Sequence, residues 1–242
     1  DIHAGGVDLI FPHHENEIAQ SEASTKKKFV NYWFHNEHLL VNGQKMSKSL
    51  GNFYTLRGLL GKNYNPKAIR YLLLSVHYRM QLNFTEDAVK ASDAAVQRLN
   101  DFIVNLKSIK NEEIENNKIK KLIENAKKNF EKEMDDDLNI SNALAVIFEF
   151  IKKINTLIME NKLGKKDAKK IISLMQQFDK VLGVLEEKEE KLSLELEKLI
   201  KEREKARKEK NYEKADKIRN ELKEKGIILE DTKDGVRWKI VK

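Results

Sequence analysis

No cysteine occurs among the 242 residues, so this chain supplies no disulfide and no thiolate, whether as nucleophile or as metal ligand. That count fits an intracellular protein, and a cytoplasmic location is the expectation. Proline occurs twice and glycine ten times, too few for the turn-dense connections of an all-β fold. No run of about 18 or more apolar residues is present, which excludes a membrane-spanning helix and makes a membrane partner unexpected. What is abundant is charge. At 35% Asp, Glu, Lys and Arg, the composition favours long solvated helices. The net charge of +7 leans toward an acidic partner such as nucleic acid, although Lys- and Asn-rich chains often carry such an excess without binding RNA.

The length allows one large domain or two to three small ones. Residues 1–55 mix short apolar runs with polar turns. Asp8-Leu9-Ile10-Phe11 reads as a short buried strand, His13 to about Thr25 as a helix, and Phe29 to Val41 as strand-rich, with Asn42-Gly43 a turn. This alternation predicts an α/β domain with a mostly parallel sheet. Beyond Ser49 the pattern turns helical. Asn65-Pro66 places Pro at a first helical position, and Thr85 is a candidate N-cap followed by Glu86 and Asp87.

Apolar residues then recur at spacings of three and four: Ala88, Ala91, Ala95, Leu99, Phe102 and Leu106, next Leu144, Ile147, Ile151, Ile154 and Ile158, then Ile171, Leu174, Phe178, Val181 and Leu185. With a fourth helix near Ile119 to Phe130, these stripes predict a helical bundle and are read as core. Between Glu189 and Lys225, 24 of 37 residues are charged, yet Leu196, Leu199, Ala206, Ala215, Ile218 and Leu222 keep helical intervals, which favours a solvated helix pair over a disordered tail. The chain closes on a predicted β-hairpin turning at Asp234-Gly235.

Two short motifs carry the chemistry. Lys45-Met46-Ser47-Lys48-Ser49, followed by Leu50-Gly51-Asn52, sets two lysines three positions apart in a loop that can wrap a polyphosphate. Alone, such a loop is more often solvated surface. Upstream stands Phe11-Pro12-His13-His14-Glu15-Asn16-Glu17, in which His13 and Glu17 share one helical face within reach of a single ion. Alone, an HxxxE helix more often pairs its glutamate with a nearby lysine. Gly5-Gly6 followed by Asp8 reads, by itself, as a turn with an acidic cap.

Together these motifs resemble the second half of the active site of a class I aminoacyl-tRNA synthetase, most closely that of the cysteinyl-tRNA synthetases. The likeness continues through Asp135-Asp136-Asp137-Leu138-Asn139 and the helix after it, where Ile140-Ser141 stands in place of the usual Thr-Pro and Ser141 is a serviceable cap. It ends in the segment from Ala206 to Thr232, which resembles the family's small C-terminal domain. The fold implied is an α/β remnant of a class I Rossmann-type catalytic domain (1–62), an all-α helical bundle of the anticodon-binding type (63–188), and a small α+β C-terminal module (189–242).

The resemblance implies an ATP-dependent ligase that activates L-cysteine as its adenylate and transfers it to tRNA(Cys). Lys48 and Lys45 would serve catalysis at the phosphates of magnesium-bound ATP, with Met46 anchoring the loop. Gly5, Gly6 and Asp8 would approach the adenosine. His13 and Glu17 would hold one zinc ion with two cysteines from an N-terminal half that is expected to be missing here, as is the family's upstream histidine signature; His14 is read as supporting. Arg219, Arg237 and Trp238 are the tRNA candidates, although a lone Trp on a small hairpin is as often a core anchor. A monomer is expected, and this chain by itself is expected not to adenylate. The alternatives are an RNA-binding module without catalysis, and the related ligase that joins cysteine to an amino-sugar inositol, against which the Arg237-Trp238 tail argues.

Overall fold

The computed structural model describes residues 1–112, 117–186, 194–209, 211–225, 227–232 and 235–240. The chain forms two compact units, residues 1–186 and 187–242. The first unit begins with β1 (Ile2–Gly6) and β2 (Tyr32–Asn36), paired in parallel and joined through α1 (Glu15–Thr25). Next come β3 (Leu39–Val41) and β4 (Gln44–Lys45), an antiparallel hairpin, with β5 (Leu82–Phe84) parallel to β3. Asn42 (φ 50°) and Gly43 (φ 76°) both occupy left-handed backbone, as the tight turn between right-twisted strands requires.

The segment expected as a buried strand is not one. Val7–Leu9 forms a single 3-10 turn and Ile10–His14 a wide turn, and Leu9, Ile10 and Phe11 are exposed. Pro12 supplies the reason. It has no N–H for a ladder, and it holds Phe11 extended (φ −129°, ψ 132°) beside helical neighbours, so neither a strand nor a regular helix continues through it.

Helices follow where caps start them. Thr55 accepts from Gly58 N to open α2 (Leu56–Gly61), Asn65 accepts from Lys67 N ahead of Pro66 to open α3 (Pro66–Leu74), and Thr85 accepts from Ala88 N to open α4 (Glu86–Lys107). Then come α5 (Asn117–Asp135), α6 (Ile140–Met159) and α7 (Lys165–Leu182). Asn139, not Ser141, caps α6 by accepting from Asn142 N, while Ser141 Oγ donates to the carbonyl of Ser75. α7 stops at Gly183, whose φ of 62° is the usual left-handed stop.

One core joins α4 to α7 and includes Leu99, Phe102, Ile147, Ile154, Ile171 and Phe178. Two of the predicted stripes hold over most of their length, with Leu99, Phe102 and Leu106 and then Ile171, Leu174, Phe178 and Leu185 buried, and each departs by one residue at one end. On α4 the buried positions are Val89, Ser92 and Val96, whereas Ala91 faces solvent; near the end of α7, Leu182 is buried and Val181 exposed. The α4 row one residue along has the same spacing but presents two valines, which bury more apolar area than alanines.

In the second unit α8 (Leu194–Lys208) packs on α9 (Tyr212–Glu224), and β6 (Ile227–Thr232) pairs antiparallel with β7 (Gly235–Ile240). Ile200, Ile218, Leu222, Ile227 and Leu229 form its core. Asp234, expected in the hairpin turn, lies outside the described residues.

The core assignment has a direct check. Ile154→Ala, at a fully buried site, is expected to lower unfolding free energy by about 2–5 kcal/mol. Val181→Ala, on the exposed side of α7, should stay within about 0.5 kcal/mol. Urea titrations reading similar losses for both would contradict the assignment.

Candidate nucleotide and metal site

The parallel register of β1 and β2 sets His3 beside Trp33 and Gly5 beside His35. Alternate residues share a face, so two imidazoles and an indole gather there around a glycine. The wide turn before α1 delivers His14 onto this face. Its ring is buried, and its Nδ1 lies 2.9 Å from His35 Nε2 in a hydrogen bond. The rings of His3 and Trp33 stand 5.0 and 4.9 Å from it. A Cβ on Gly5 would fall 2.7 Å from His14 Cε1, so only glycine leaves room for that ring. Burial, then the neighbouring imidazoles of His3 and His35, hold the His14 pKa below the ordinary histidine value, favouring the neutral ring.

Glu17 projects from the first turn of α1 into this cluster. Its Oε1 is 3.6 Å from His13 Nε2, and its Oε2 is 3.0 Å from His3 Nε2 and 4.0 Å from His14 Nε2. The Oε2 atom is enclosed by protein yet receives no well-directed hydrogen bond among the described residues. Donor atoms of His3, His14 and Glu17 all lie within 4.8 Å of one another.

An enclosed carboxylate oxygen without a proper donor is costly unless a cation or proton satisfies it. Imidazole and carboxylate are also a donor set that zinc accepts. The residues therefore fit a divalent metal. His13, read from the sequence as a ligand, is brought to Glu17 but is largely exposed at 60%. His3 and His14 are the closer-set partners of the enclosed oxygen.

The lysine loop runs from the end of β4. Asn52 staples it: its Oδ1 accepts from Ser47 N at 2.8 Å and its Nδ2 donates to the Lys45 carbonyl at 3.2 Å. Ser47 and Ser49 share a hydroxyl hydrogen bond of 3.0 Å. Met46 packs against the apolar cluster of Val41, Leu59 and Phe84. These contacts leave Lys45 and Lys48 exposed, with Lys48 Nζ 5.7 Å from the centre of the Phe53 ring. Asp8 is exposed, and its Oδ1 occupies the space a Gly6 side chain would need, 2.5 Å from the position of a Cβ.

Arg219 is exposed on α9, and the backbone register pairs Arg237 with Glu230 and Trp238 with Leu229. The side chains of Arg237 and Trp238 lie outside what is described. His3, Trp33 and His35 did not emerge from the sequence as site residues, and neither did Asn52. The alternation His3-x-Gly5 and Trp33-x-His35 on two strands was the available signal, but it acquires meaning only once the strands are known to pair.

Comparison with known proteins matches three successive stretches of the chain. Residues 1–94 match the family model for the tRNA synthetases class I (C) catalytic domain, residues 129–186 the DALR domain, and residues 189–238 the cysteinyl-tRNA ligase anticodon binding domain. The chain is 48% identical over 241 residues to a cysteine–tRNA ligase of Protochlamydia amoebophila, with 99% of this chain and 50% of that protein covered. It is likewise 48% identical over 251 residues to one of Leptospira interrogans, covering 99% and 52%. Among solved structures, the Agrobacterium radiobacter K84 LeuRS in a ternary complex with tRNA shares the fold at TM-score 0.56 and 18% identity, over 72% of this chain and 25% of that one. Mycobacterium tuberculosis methionyl-tRNA synthetase does so at 0.52 and 18%, over 64% and 33%. The chain spans about half the length of the curated relatives it matches, and along that span it is similar to the cysteine–tRNA ligases.

Proposed function

We propose that this chain is part of an ATP-dependent ligase that activates L-cysteine as its adenylate and transfers it to tRNA(Cys). The observation that carries the reading is the enclosed Glu17 oxygen amid His3, His13 and His14, in the same α/β unit as the stapled lysine loop. In this reading residues 1–62 belong to the catalytic domain, 63–188 form the bundle, and 189–242 are a tRNA-contacting module.

In the activation step the cysteine carboxylate attacks the α-phosphorus of magnesium-bound ATP, and the bond to the bridging oxygen breaks to release pyrophosphate. Negative charge grows on the phosphate oxygens in the transition state. Cations held in place stabilise it more than they stabilise bound ATP, which lowers the barrier. Lys48, displaced from Phe53, reaches the phosphates, and Lys45 adds positive potential from the loop's other end. Asn52 limits the loop's freedom, so less ordering entropy is lost on engagement. Gly5 and Gly6 present backbone to the adenosine, and Asp8 accepts from ribose hydroxyls.

His13 and Glu17 are the residues of this chain that would hold zinc, together with two thiolates from elsewhere in the whole protein; His3 and His14 stand around the enclosed Glu17 oxygen. Bound zinc would supply a Lewis acid that prefers the substrate's sulfur to the hydroxyl of serine. On the second unit, Arg219 would contact phosphate, while Arg237 and Trp238 would stack on unpaired bases. A non-catalytic RNA-binding role is the competing reading, and loss of catalysis with retained tRNA binding would favour it.

Two measurements check the reading. In the full-length protein, Lys48→Ala should lower cysteine-dependent ATP–pyrophosphate exchange by about 10²–10³-fold, the scale seen when one charge-stabilising donor is removed. Undiminished exchange would remove Lys48 from the mechanism. Separately, Glu17→Gln should abolish stoichiometric zinc in the purified full-length protein, measured by elemental analysis. Retention of one zinc per chain would show that the metal is held elsewhere.

A further inference from the structure

The acidic run Asp135-Asp136-Asp137 forms the corner between α5 and α6, and the chemistry described so far makes no use of it. The corner is strained. Asp137 (φ 51°) and Leu138 (φ 58°) are successive non-glycine residues in left-handed backbone, a conformation that persists only where surrounding contacts enforce it.

Three consecutive residues of another segment converge on Asp137. Tyr78 Oη donates to Oδ1 at 2.6 Å, Arg79 Nε donates to Oδ2 at 2.6 Å, and His77 Nε2 lies 2.9 Å from the Asp137 carbonyl oxygen in a hydrogen bond. Nearby, Ser141 Oγ donates to the Ser75 carbonyl at 3.0 Å. Hydrogen bonds from Tyr78 and then Arg79 hold the Asp137 carboxyl below its usual range, so it stays ionised at neutral pH.

Tyr78 is also tied in the other direction. Its ring stacks on Phe34 at 4.1 Å between centroids, and its carbonyl accepts from Glu37 N at 2.8 Å. Phe34 belongs to β2, between Trp33 and His35, whose rings lie against His14. One segment, residues 75–79, therefore joins the bundle corner to the strand that walls the histidine cluster. An isolated surface ion pair would contribute little. Here a bidentate carboxylate, a ring stack and two main-chain bonds act on the same short segment.

We infer that Asp137 is a positioning residue: through Tyr78 it sets the bundle's corner against β2, and so aligns the tRNA-facing bundle with the adenylate site. This rests on the proposed ligase reading. Activation needs only groups within the α/β part, whereas transfer needs tRNA and adenylate aligned. The tie therefore bears on transfer.

In the full-length protein, Asp137→Asn should lower tRNA charging by on the order of 10- to 100-fold, the scale of a small misplacement remote from the chemistry. Cysteine-dependent ATP–pyrophosphate exchange should change less than about twofold, well inside what one lost donor costs. Tyr78→Phe, which keeps the ring stack and removes one hydrogen bond, should show the same split to a smaller degree. Equal losses in both assays, or no loss in either, would overturn the inference.

Hydrogen exchange on the 242-residue chain separates failure of the tie from failure of the ligase reading. Asp137→Asn should speed exchange at the Glu37 amide and along β2 while leaving α4 unchanged. Unchanged exchange in β2 would overturn the tie itself. A wild-type protein without cysteine-dependent exchange of pyrophosphate would instead sink the ligase reading.

Discussion

The contact on which the candidate site depends is the seating of the His14 ring directly against the backbone of Gly5, in space that any side chain at residue 5 would fill. That single fit fixes several things at once. It brings the start of α1 down onto the β1–β2 face, pairs His14 with His35, and turns the first turn of α1 so that Glu17 enters among three imidazoles. A buried histidine ring hydrogen-bonded to His35 and packed against Gly5 is held in one place, which fixes where the first turn of α1 lies. The enclosed oxygen of Glu17 is the cost of the arrangement, and it makes the place a natural seat for a cation.

The lysine loop answers to different physics. It is exposed and polar, so packing cannot hold it, apart from Met46 at its root. Its order comes from local hydrogen bonds, chiefly the two that Asn52 makes across the loop. Such a loop can reorganise at modest cost, which suits groups that must meet a charge present only during reaction. The bundle stands at the opposite extreme, with α4 to α7 around one apolar core. Between a stiff bundle and a site built on two short strands, the segment 75–79 and the strained Asp137 corner are the described connection to β2.

Much of this was legible beforehand because it is written locally. Thr85 acts as a cap and Asn65-Pro66 as a helix start for reasons contained within one turn of chain. The Asn42-Gly43 turn and the stripe from Leu144 to Ile154 likewise follow from short-range periodicity and backbone preference. The errors have local causes too. Pro12 broke a run that looked like a strand, and the row of Val89 and Val96 displaced a row of alanines with identical spacing. Asn139 took the cap assigned to Ser141 because it immediately precedes Ile140, the first residue of α6, whereas Ser141 lies within the helix and its hydroxyl reaches Ser75.

The sequence by itself determined the long helices, the Thr85 cap, the cationic loop and the His13–Glu17 spacing, since each depends on residues within a few positions of one another. Only the tertiary structure decided that His3, His14, Trp33 and His35 form one cluster, and that Asp137 is bound by Tyr78 and Arg79. Those groupings join residues 11 to 59 positions apart through strand register and helix docking, and no local preference encodes which strand lies beside which.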